Sequence, residues 1–223
     1  EAIQTLKDVH TIVFDKTGTI TKGQPEVTDI IAENSFSREK LLSIAASVEA
    51  GSEHPLGEAI VRKAEEKEIK LEDITEFNAV TGKGVQAKIG EEQILVGSRR
   101  LLNEASINVS AVEDKMQELE SEAKTAMLVA IAGQLAGIIA VADPLKDDSK
   151  AAINELRDLG LETVMITGDN QRTAEAIAKE VGIDHVVAEV LPDGKVDEIK
   201  NLQEKFGTIA MVGDGINDAP ALT

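Results

Sequence analysis

Three short apolar segments, each followed at once by an aspartate and small residues, constrain the fold of this chain more than any other feature. They read TIVFDKTGT at 11–19, VMITGDN at 164–170 and IAMVGDGINDAP at 209–220. Continuous aliphatic runs of this length are typical of strands buried on both faces of a parallel sheet. Because the carboxyl ends of parallel strands meet at one edge of a sheet, we expect the polar residues that follow them to converge. Those residues are Asp15, Thr167, Asp169, Asp214 and Asp218.

The segment that follows the first strand, residues 15–21, favours phosphate chemistry. Its hydroxyls and backbone N–H groups can bind phosphate oxygens, and Asp15 can act as a nucleophile that forms an aspartyl-phosphate. Several carboxylates in one cleft repel one another unless a cation lies among them, and Mg²⁺ is the oxygen-binding cation that accompanies phosphates. In the alternative interpretation these acids are unrelated turn residues, Asp15 caps its turn, and Lys16 is a solvated neighbour.

The C-terminal third of the chain predicts repeated winding of strands and helices. We expect helices over 149–159, 172–181 and 194–205, and strands over 163–167, 185–188 and 208–212. A glycine follows each apolar helical stripe, as is usual where a helix ends in a left-handed residue. This alternation is typical of a parallel sheet in an α/β domain.

The stretch between the first motif and the second contains a segment of roughly 110 residues, 30–142, that must form a domain of its own, because a connection of that length is too long for a loop. We therefore predict an outer domain in two parts, 1–29 and 143–223, around an inserted domain over 30–142. The insert begins with two apolar-striped helices, the second of which starts at Pro55. The later runs predict strands over 77–80, 84–89 and 93–96, a polar helix over 109–122, and two strands within 127–142. Two helices on an antiparallel sheet is the simplest packing of that order.

Composition excludes several classes of function. The 223 residues include 41 Asp and Glu against 23 Lys and Arg, for a formal net charge of -18. Such a charge disfavours nucleic acid and anionic lipid surfaces as partners. The absence of cysteine excludes disulfides and thiolate metal sites within these residues. The longest apolar stretch, Met127–Ala142, is broken by glycines and is too short for a membrane-spanning helix of about 20 residues.

Taken together, DKTGT at 15–19, TGDN at 167–170 and GDGINDAP at 213–220 resemble the phosphorylation domain of P-type ATPases, members of the haloacid dehalogenase superfamily. The string SEHPLG at 52–57 is similar to one in the heavy-metal-transporting subgroup. This resemblance covers residues 13–222. It implies an α/β, haloacid-dehalogenase-like phosphorylation domain and an inserted α+β nucleotide-binding domain. Such a protein couples ATP hydrolysis, through an aspartyl-phosphate, to metal transport.

The stretch 52–61 is most similar to copper pumps, so the implied cargo is copper(I). Two alternatives stay open at this point: a zinc or cadmium pump, and a soluble phosphatase of the same superfamily. Thr17 separates the pump from the phosphatase. In the superfamily's phosphatases and mutases the residue two positions after the nucleophile is a second aspartate that acts as general acid and base. A threonine cannot do so at neutral pH, so a long-lived phosphoenzyme is expected.

The resemblance also implies a role for each site residue. The catalytic residues would be Asp15 as nucleophile, with Lys16, Thr17, Thr167, Lys195, Asp214, Asn217 and Asp218 around it. Mg²⁺ would bind Asp15, the backbone carbonyl of Thr17, and Asp214, while Thr19 would add a hydroxyl. ATP would be bound by Glu49, His54, Gly82, Gly84 and Gly97. Ser98 stands where asparagine is frequent in the family.

The implied partners are ATP and ADP and the remaining domains of the same pump. Those domains are the membrane helices, the actuator domain, and metal-binding or metallochaperone domains. No nucleic acid partner is expected. The resemblance further implies that this chain is a soluble piece on the cytoplasmic side of the cell membrane, within an integral membrane protein.

Overall fold

A computed structural model describes residues 8–214 and divides the chain into two compact units. The first unit runs to Gly23 and resumes at Asp143, and the second comprises Gln24–Ala142. The boundary predicted at residue 30 is therefore displaced, because it falls inside strand β2 (Glu26–Ala32). The whole of β2 belongs to the second unit, since it pairs antiparallel with a strand near residue 140 and Glu26 lies opposite Ala142.

The first unit is built on a four-stranded parallel sheet. Its strands are β1 (Thr11–Asp15), β8 (Glu162–Ile166), β9 (His185–Val187) and β10 (Ile209–Val212), in the order β10-β1-β8-β9. Its helices are α5 (Ser149–Asp158), α6 (Gln171–Val181) and α7 (Lys195–Phe206). The predicted α/β class is confirmed, with each element within a residue or two of its expected bounds. The first strand lies at the centre of the sheet, so both of its neighbours end beside Asp15.

Local capping explains where α6 begins and ends. Asn170 precedes the helix, and its side-chain oxygen accepts a hydrogen bond from the Thr173 N–H at 3.0 Å. At the other end Gly182 adopts the left-handed conformation with φ 89°, which a residue with a side chain seldom adopts. The helix therefore starts directly after the second motif. Thr167 and Asp169 lie in the short segment between β8 and this helix.

The second unit contains a six-stranded antiparallel sheet with helices on both of its faces. The other strands are β3 (Thr75–Val80), β4 (Gly84–Ile89), β5 (Glu92–Gly97), β6 (Thr125–Ile131) and β7 (Gln134–Ala142), in the order β2-β7-β6-β5-β4-β3. Helices α1 (Arg38–Glu49) and α2 (Pro55–Glu66) cover one face, and α3 (Arg99–Glu104) and α4 (Glu113–Ser121) cover the other. The predicted antiparallel sheet with two helices packed on it is confirmed, and α3 and α4 add a second helical layer on the opposite face.

The apolar stretch from 127 to 142 is the β6–β7 hairpin, as predicted. Along β6 the side chains alternate: Met127 and Val129 pack with α1 and α2, whereas Leu128 and Ala130 pack with α3 and α4. Burial on both faces explains why the run is continuously apolar. Over residues 8–214, none of the helices has the length and hydrophobicity needed to cross a membrane.

We predict that residues 24–142 fold in isolation and give a well-dispersed amide NMR spectrum. The shorter segment 30–142 lacks the first half of β2 and with it the pairing of Val27 with Val141. Its free energy of unfolding in urea should be lower by about 1–3 kcal/mol, the value of a partly buried aliphatic side chain and its strand contacts. Equal stability of the two segments would contradict the place assigned to β2.

Candidate functional site

The first site residue, Asp15, ends the central strand and is almost completely buried. Its side chain is 9% exposed, and the Nζ of Lys195, itself 14% exposed, donates to its Oδ1 at 2.6 Å. Lys195 is the first residue of α7, 180 positions further along the chain. Because an isolated buried carboxylate is strongly disfavoured, this lysine is what allows Asp15 to be charged there.

A second buried ion pair lies beside the first. The Nζ of Lys16 is 2.6 Å from Oδ2 of Asp169, and both side chains are about a tenth exposed. Thr167 donates its hydroxyl to the same oxygen at 3.0 Å and accepts the Asp169 N–H at 3.1 Å. The alternative interpretation of Lys16 as a solvated neighbour is therefore wrong. Thr167 acts here through Asp169, which it orients toward Lys16.

The turn after Asp15 brings a third aspartate to this edge of the sheet. Gly18 has φ 75°, and a Cβ at that position would lie 3.1 Å from Oδ2 of Asp214. The Gly18 carbonyl accepts a hydrogen bond from the Nζ of Lys146. Lys146 is a site residue that the sequence analysis missed, and its position two residues after Pro144, at the re-entry into the first unit, was the available signal.

Two carboxylates and a carbonyl make up the ligand set expected for Mg²⁺. Asp15 and Asp214 both border the turn, and Thr17 lies within it with φ −72° and ψ 126°. No group of three or more His, Asp or Glu side chains suited to a metal ion occurs in the part of the chain that the structure describes. The set expected for Mg²⁺ differs from such a group, because it consists of two carboxylates and one backbone carbonyl. Asn217 and Asp218, also expected at this edge, lie outside the described residues.

In the second unit, Glu49 supplies the carboxyl group of the expected nucleotide site, and it is deeply buried. It is the last residue of α1 and is 2% exposed. Burial raises the pKa of Glu49 to about 7, and a hydrogen bond with Ser52 opposes that shift. A Cβ at Gly57 would lie only 2.3 Å from Oε2 of Glu49, so any larger residue there would displace the carboxyl group from its present position.

His54 immediately precedes α2 and caps it. Its Nδ1 accepts a hydrogen bond from the Leu56 N–H at 3.2 Å, and Pro55 occupies the first helical position. An imidazole nitrogen that accepts carries no hydrogen, so the neutral ring is protonated at Nε2. The exposed ring therefore presents a donor, held in place by the start of the helix.

The expected glycines lie where β4 begins and β5 ends. Gly84 and Gly97 are opposite each other in the sheet. A Cβ on Gly84 would lie 2.2 Å from the Val96 carbonyl oxygen, and one on Gly97 would lie 2.2 Å from the Lys83 carbonyl oxygen. Gly82 precedes them with φ 68°. Packing between the two strands thus gives Gly84 and Gly97 a structural reason that does not depend on a ligand.

Buried hydroxyl groups without a hydrogen-bond partner mark both sites. Among the described residues, the buried side-chain polar atoms without a partner are Thr19 Oγ1 and Ser98 Oγ. One belongs to the turn after Asp15, and the other directly follows Gly97. An unsatisfied buried hydroxyl costs about 1–3 kcal/mol and therefore needs an explanation. A ligand with acceptor oxygens at each place would satisfy both.

Comparison with known proteins gives relatives along the whole chain. The chain is 50% identical over 222 residues to a copper-exporting P-type ATPase of Bacillus subtilis, all of the chain matching 28% of that protein. It is also 50% identical over 223 residues to copper-transporting ATPase 1 of Rhizobium meliloti, again over the full chain and 27% of the relative. The chain thus spans little more than a quarter of the length of these curated relatives.

Solved structures of related ATPases also match this chain over almost its whole length. The catalytic domain of the CPx-ATPase CopB-B, described in a study of its changes upon nucleotide binding, superposes with a TM-score of 0.73 at 30% identity, over 99% of this chain and 77% of that one. A zinc-transporting PIB-type ATPase superposes with a TM-score of 0.65 at 40% identity, over 99% of this chain and 35% of that one.

Residues 9–223 match the family model of the haloacid dehalogenase-like hydrolases, so the fold and the site define the chain as a hydrolase of that family. The relatives narrow the assignment further. The chain belongs to the heavy-metal-transporting P-type ATPases and is their catalytic part.

The raised pKa of Glu49 predicts a pH dependence of stability. The folded chain retains a proton at Glu49 up to about pH 7, whereas the unfolded carboxyl loses it near 4.5. The contribution of Glu49 is therefore complete below 4.5 and is lost as the pH rises through 7. The slope in between is at most about 1.4 kcal/mol per pH unit. Glu49→Gln, which cannot ionise, should remove this slope in urea unfolding measured from pH 5 to 8.

The matched control for that measurement is Glu53→Gln, a change of the same kind at an exposed neighbouring position. It should keep the pH dependence of the unmodified chain. Parallel stability curves for the Glu49 variant and the unmodified chain would show that the carboxyl is solvated and ionises normally.

Proposed function

We propose that this chain binds ATP and is phosphorylated by it on Asp15, as the catalytic part of a copper(I)-transporting P-type ATPase on the cytoplasmic side of a membrane. The observation that carries the proposal is the buried contact between Asp15 and Lys195 at the carboxyl end of the central strand. It joins a nucleophile and a cation at the place where parallel sheets bind phosphorylated ligands.

The proposed step is an in-line transfer of the γ-phosphoryl group. An Oδ of Asp15 forms a bond to the γ-phosphorus, the bond from that phosphorus to the bridging oxygen breaks, and ADP leaves with the electron pair. Such transfers depend mostly on positioning and charge neutralisation. Lys195 lies 2.6 Å from one Asp15 oxygen and so can neutralise charge on the transferring group. The unpartnered Thr19 hydroxyl can donate to a phosphoryl oxygen.

Mg²⁺ fits this site through Asp15, Asp214 and the Thr17 carbonyl, and when bound it would neutralise phosphate charge beside the nucleophile. The Lys16–Asp169 ion pair has a structural role in this site. It holds the first residue of the turn against the strand end that carries Thr167. The turn is thereby fixed before any ligand arrives, which reduces the cost of ordering it during the reaction.

The second unit would bind the nucleoside end of ATP. Glu49, neutral below about pH 7, can donate as well as accept a hydrogen bond. The ring of His54 presents Nε2–H, and the unpartnered Ser98 hydroxyl follows Gly97. A nucleobase edge offers both donors and acceptors, which this mixture of groups matches. The structure of CopB-B supports this proposal, because the catalytic domain of that relative changes conformation upon nucleotide binding.

Thr17 disfavours the alternative function as a soluble phosphatase. Hydrolysis of the phosphoenzyme needs a general base for the attacking water, and the position two residues after the nucleophile holds a hydroxyl instead.

For the cargo, copper is favoured because the curated relatives at 50% identity are described as copper pumps, whereas the zinc-transporting structure is 40% identical.

We predict that Asp15→Asn abolishes phosphoenzyme formation in the full-length protein. The reason is that an amide cannot serve as the nucleophile for the phosphoryl group. Membranes containing the protein would be incubated with ATP labelled at the γ-phosphate, quenched in acid and tested for hydroxylamine-labile label.

Asp158→Asn, the same change at an exposed position in α5, is the control and should leave labelling intact. Retained label in the Asp15 variant would mean that the nucleophile is elsewhere.

The cargo can be tested with the same assay. In the full-length protein, Cu(I) held by a soluble chelator should stimulate phosphoenzyme formation more strongly than Zn²⁺ or Cd²⁺ at equal free concentration, because a pump couples its phosphorylation to the metal ion that it transports. Stronger stimulation by Zn²⁺ would replace copper by zinc and leave the phosphorylation chemistry unchanged.

A further inference from the structure

A lysine stands between the two glycines of the β3–β4 turn. Lys83 follows Gly82 and precedes Gly84, and its carbonyl oxygen accepts the Ser98 N–H at 2.7 Å. The backbone of Lys83 is therefore fixed beside Gly97 and the unpartnered Ser98 hydroxyl. Its flexible side chain starts within the segment that is proposed to contact the nucleotide.

The Lys83 side chain is bound by a single glutamate. Its Nζ donates to both carboxylate oxygens of Glu104, at 2.9 and 2.6 Å. Glu104 ends α3 and also accepts from the Nε of Arg100 at 3.2 Å. The hydrogen bonds from Lys83 and Arg100 lower the pKa of Glu104 below its usual value. The glutamate side chain is 50% exposed and the lysine side chain 22% exposed, so this ion pair is partly open to solvent.

Another cation next to the glycines, Arg99, is bound differently. Its guanidinium donates to both Glu113 and Glu120, and Glu120 is only 1% exposed. Removing Arg99 from these partners would take a cation away from a buried carboxylate, which is costly. Arg99 therefore fastens the start of α3 to α4 and keeps the segment after Gly97 in place.

The Lys83–Glu104 pair can be exchanged at little cost. Ion pairs that are open to solvent contribute little to stability, and a lysine can hold a phosphate oxygen with a similar charged hydrogen bond. A nucleotide polyphosphate approaching a chain of net charge -18 meets unfavourable long-range repulsion. A lysine beside the binding glycines offsets that repulsion once Glu104 releases it.

We propose that Lys83 exchanges Glu104 for a phosphate group of the bound nucleotide, and that Glu104 thereby competes with phosphate and sets how strongly the chain discriminates nucleotides from nucleosides. This inference rests on the proposed nucleotide binding along Gly82, Gly84 and Gly97. Glu104 acts as a built-in competitor that lowers affinity for phosphorylated ligands without touching the base.

Calorimetric titration of the 223-residue chain with ATP, AMP and adenosine, at low ionic strength and with EDTA, tests the exchange. Glu104→Gln should raise ATP affinity about twofold to fivefold, the equivalent of a surface ion pair, and leave adenosine affinity unchanged. Lys83→Gln should lower ATP affinity about tenfold, again without affecting adenosine. In the double variant the gain from Glu104→Gln should disappear. Added salt should reduce all these differences.

The matched control is Glu76→Gln, which removes one charge from the same unit and takes a partner at 2.7 Å from Lys88. It should leave ATP affinity unchanged. An equal gain in this control, or an unaltered ratio of ATP to adenosine affinity in both test variants, would overturn the exchange while nucleotide binding stands. Failure of the unmodified chain to bind any of the three ligands would instead overturn the proposed nucleotide binding, and the exchange with it.

Discussion

The buried contact of Lys195 with Asp15 is the interaction on which the first unit depends. A carboxylate at the end of a central strand is removed from water, and a cation at 2.6 Å is what makes the charged form tolerable. That cation comes from the first residue of a helix at the far end of the sequence. The sheet order, with β1 between β8 and β10, is therefore inseparable from the chemistry of the site.

The two units treat a buried acid in opposite ways. Asp15 is surrounded by a lysine and by a turn tied to a second lysine–aspartate pair, so its charge is compensated. Glu49 has a hydroxyl from Ser52 as its hydrogen-bonding neighbour, and desolvation raises its pKa to about 7. For the proposed function, a charged Asp15 suits attack on phosphorus, whereas a Glu49 carboxyl that can be neutral suits recognition of an uncharged ring. The difference follows from the partners, because both groups are almost completely buried.

Local pattern predicted much of this arrangement, and the failures have a common cause. The aliphatic runs ending in aspartate and the helices ending in glycine located the strands and helices of the first unit. Strand β2 was missed because its pairing is with β7, more than a hundred residues away, and because a bulge after Val27 breaks its alternation. Short helix α3 was missed for a related reason, since its first residue is held by carboxylates of α4.

The candidate site divides in the same way. Motif resemblance predicted the identity of Asp15, Lys195 and Glu49, but their physical states depend on contacts made at long range. The pairing of Lys16 with Asp169 spans most of the chain, and the hydrogen bond from Lys146 to Gly18 joins the two separate parts of one unit. No local pattern carries that information.

The way the chain passes between its units has a consequence for how such proteins can diversify. In the second unit Glu26 lies opposite Ala142, and in the first unit Thr21 bridges Leu145. The two crossings thus leave each unit from neighbouring points, about one strand spacing apart. Because the two connections are neighbours, a whole folded unit can be gained or lost there without disrupting the host sheet. Recombination can therefore exchange the inserted unit while the host sheet and the site at its edge are inherited intact.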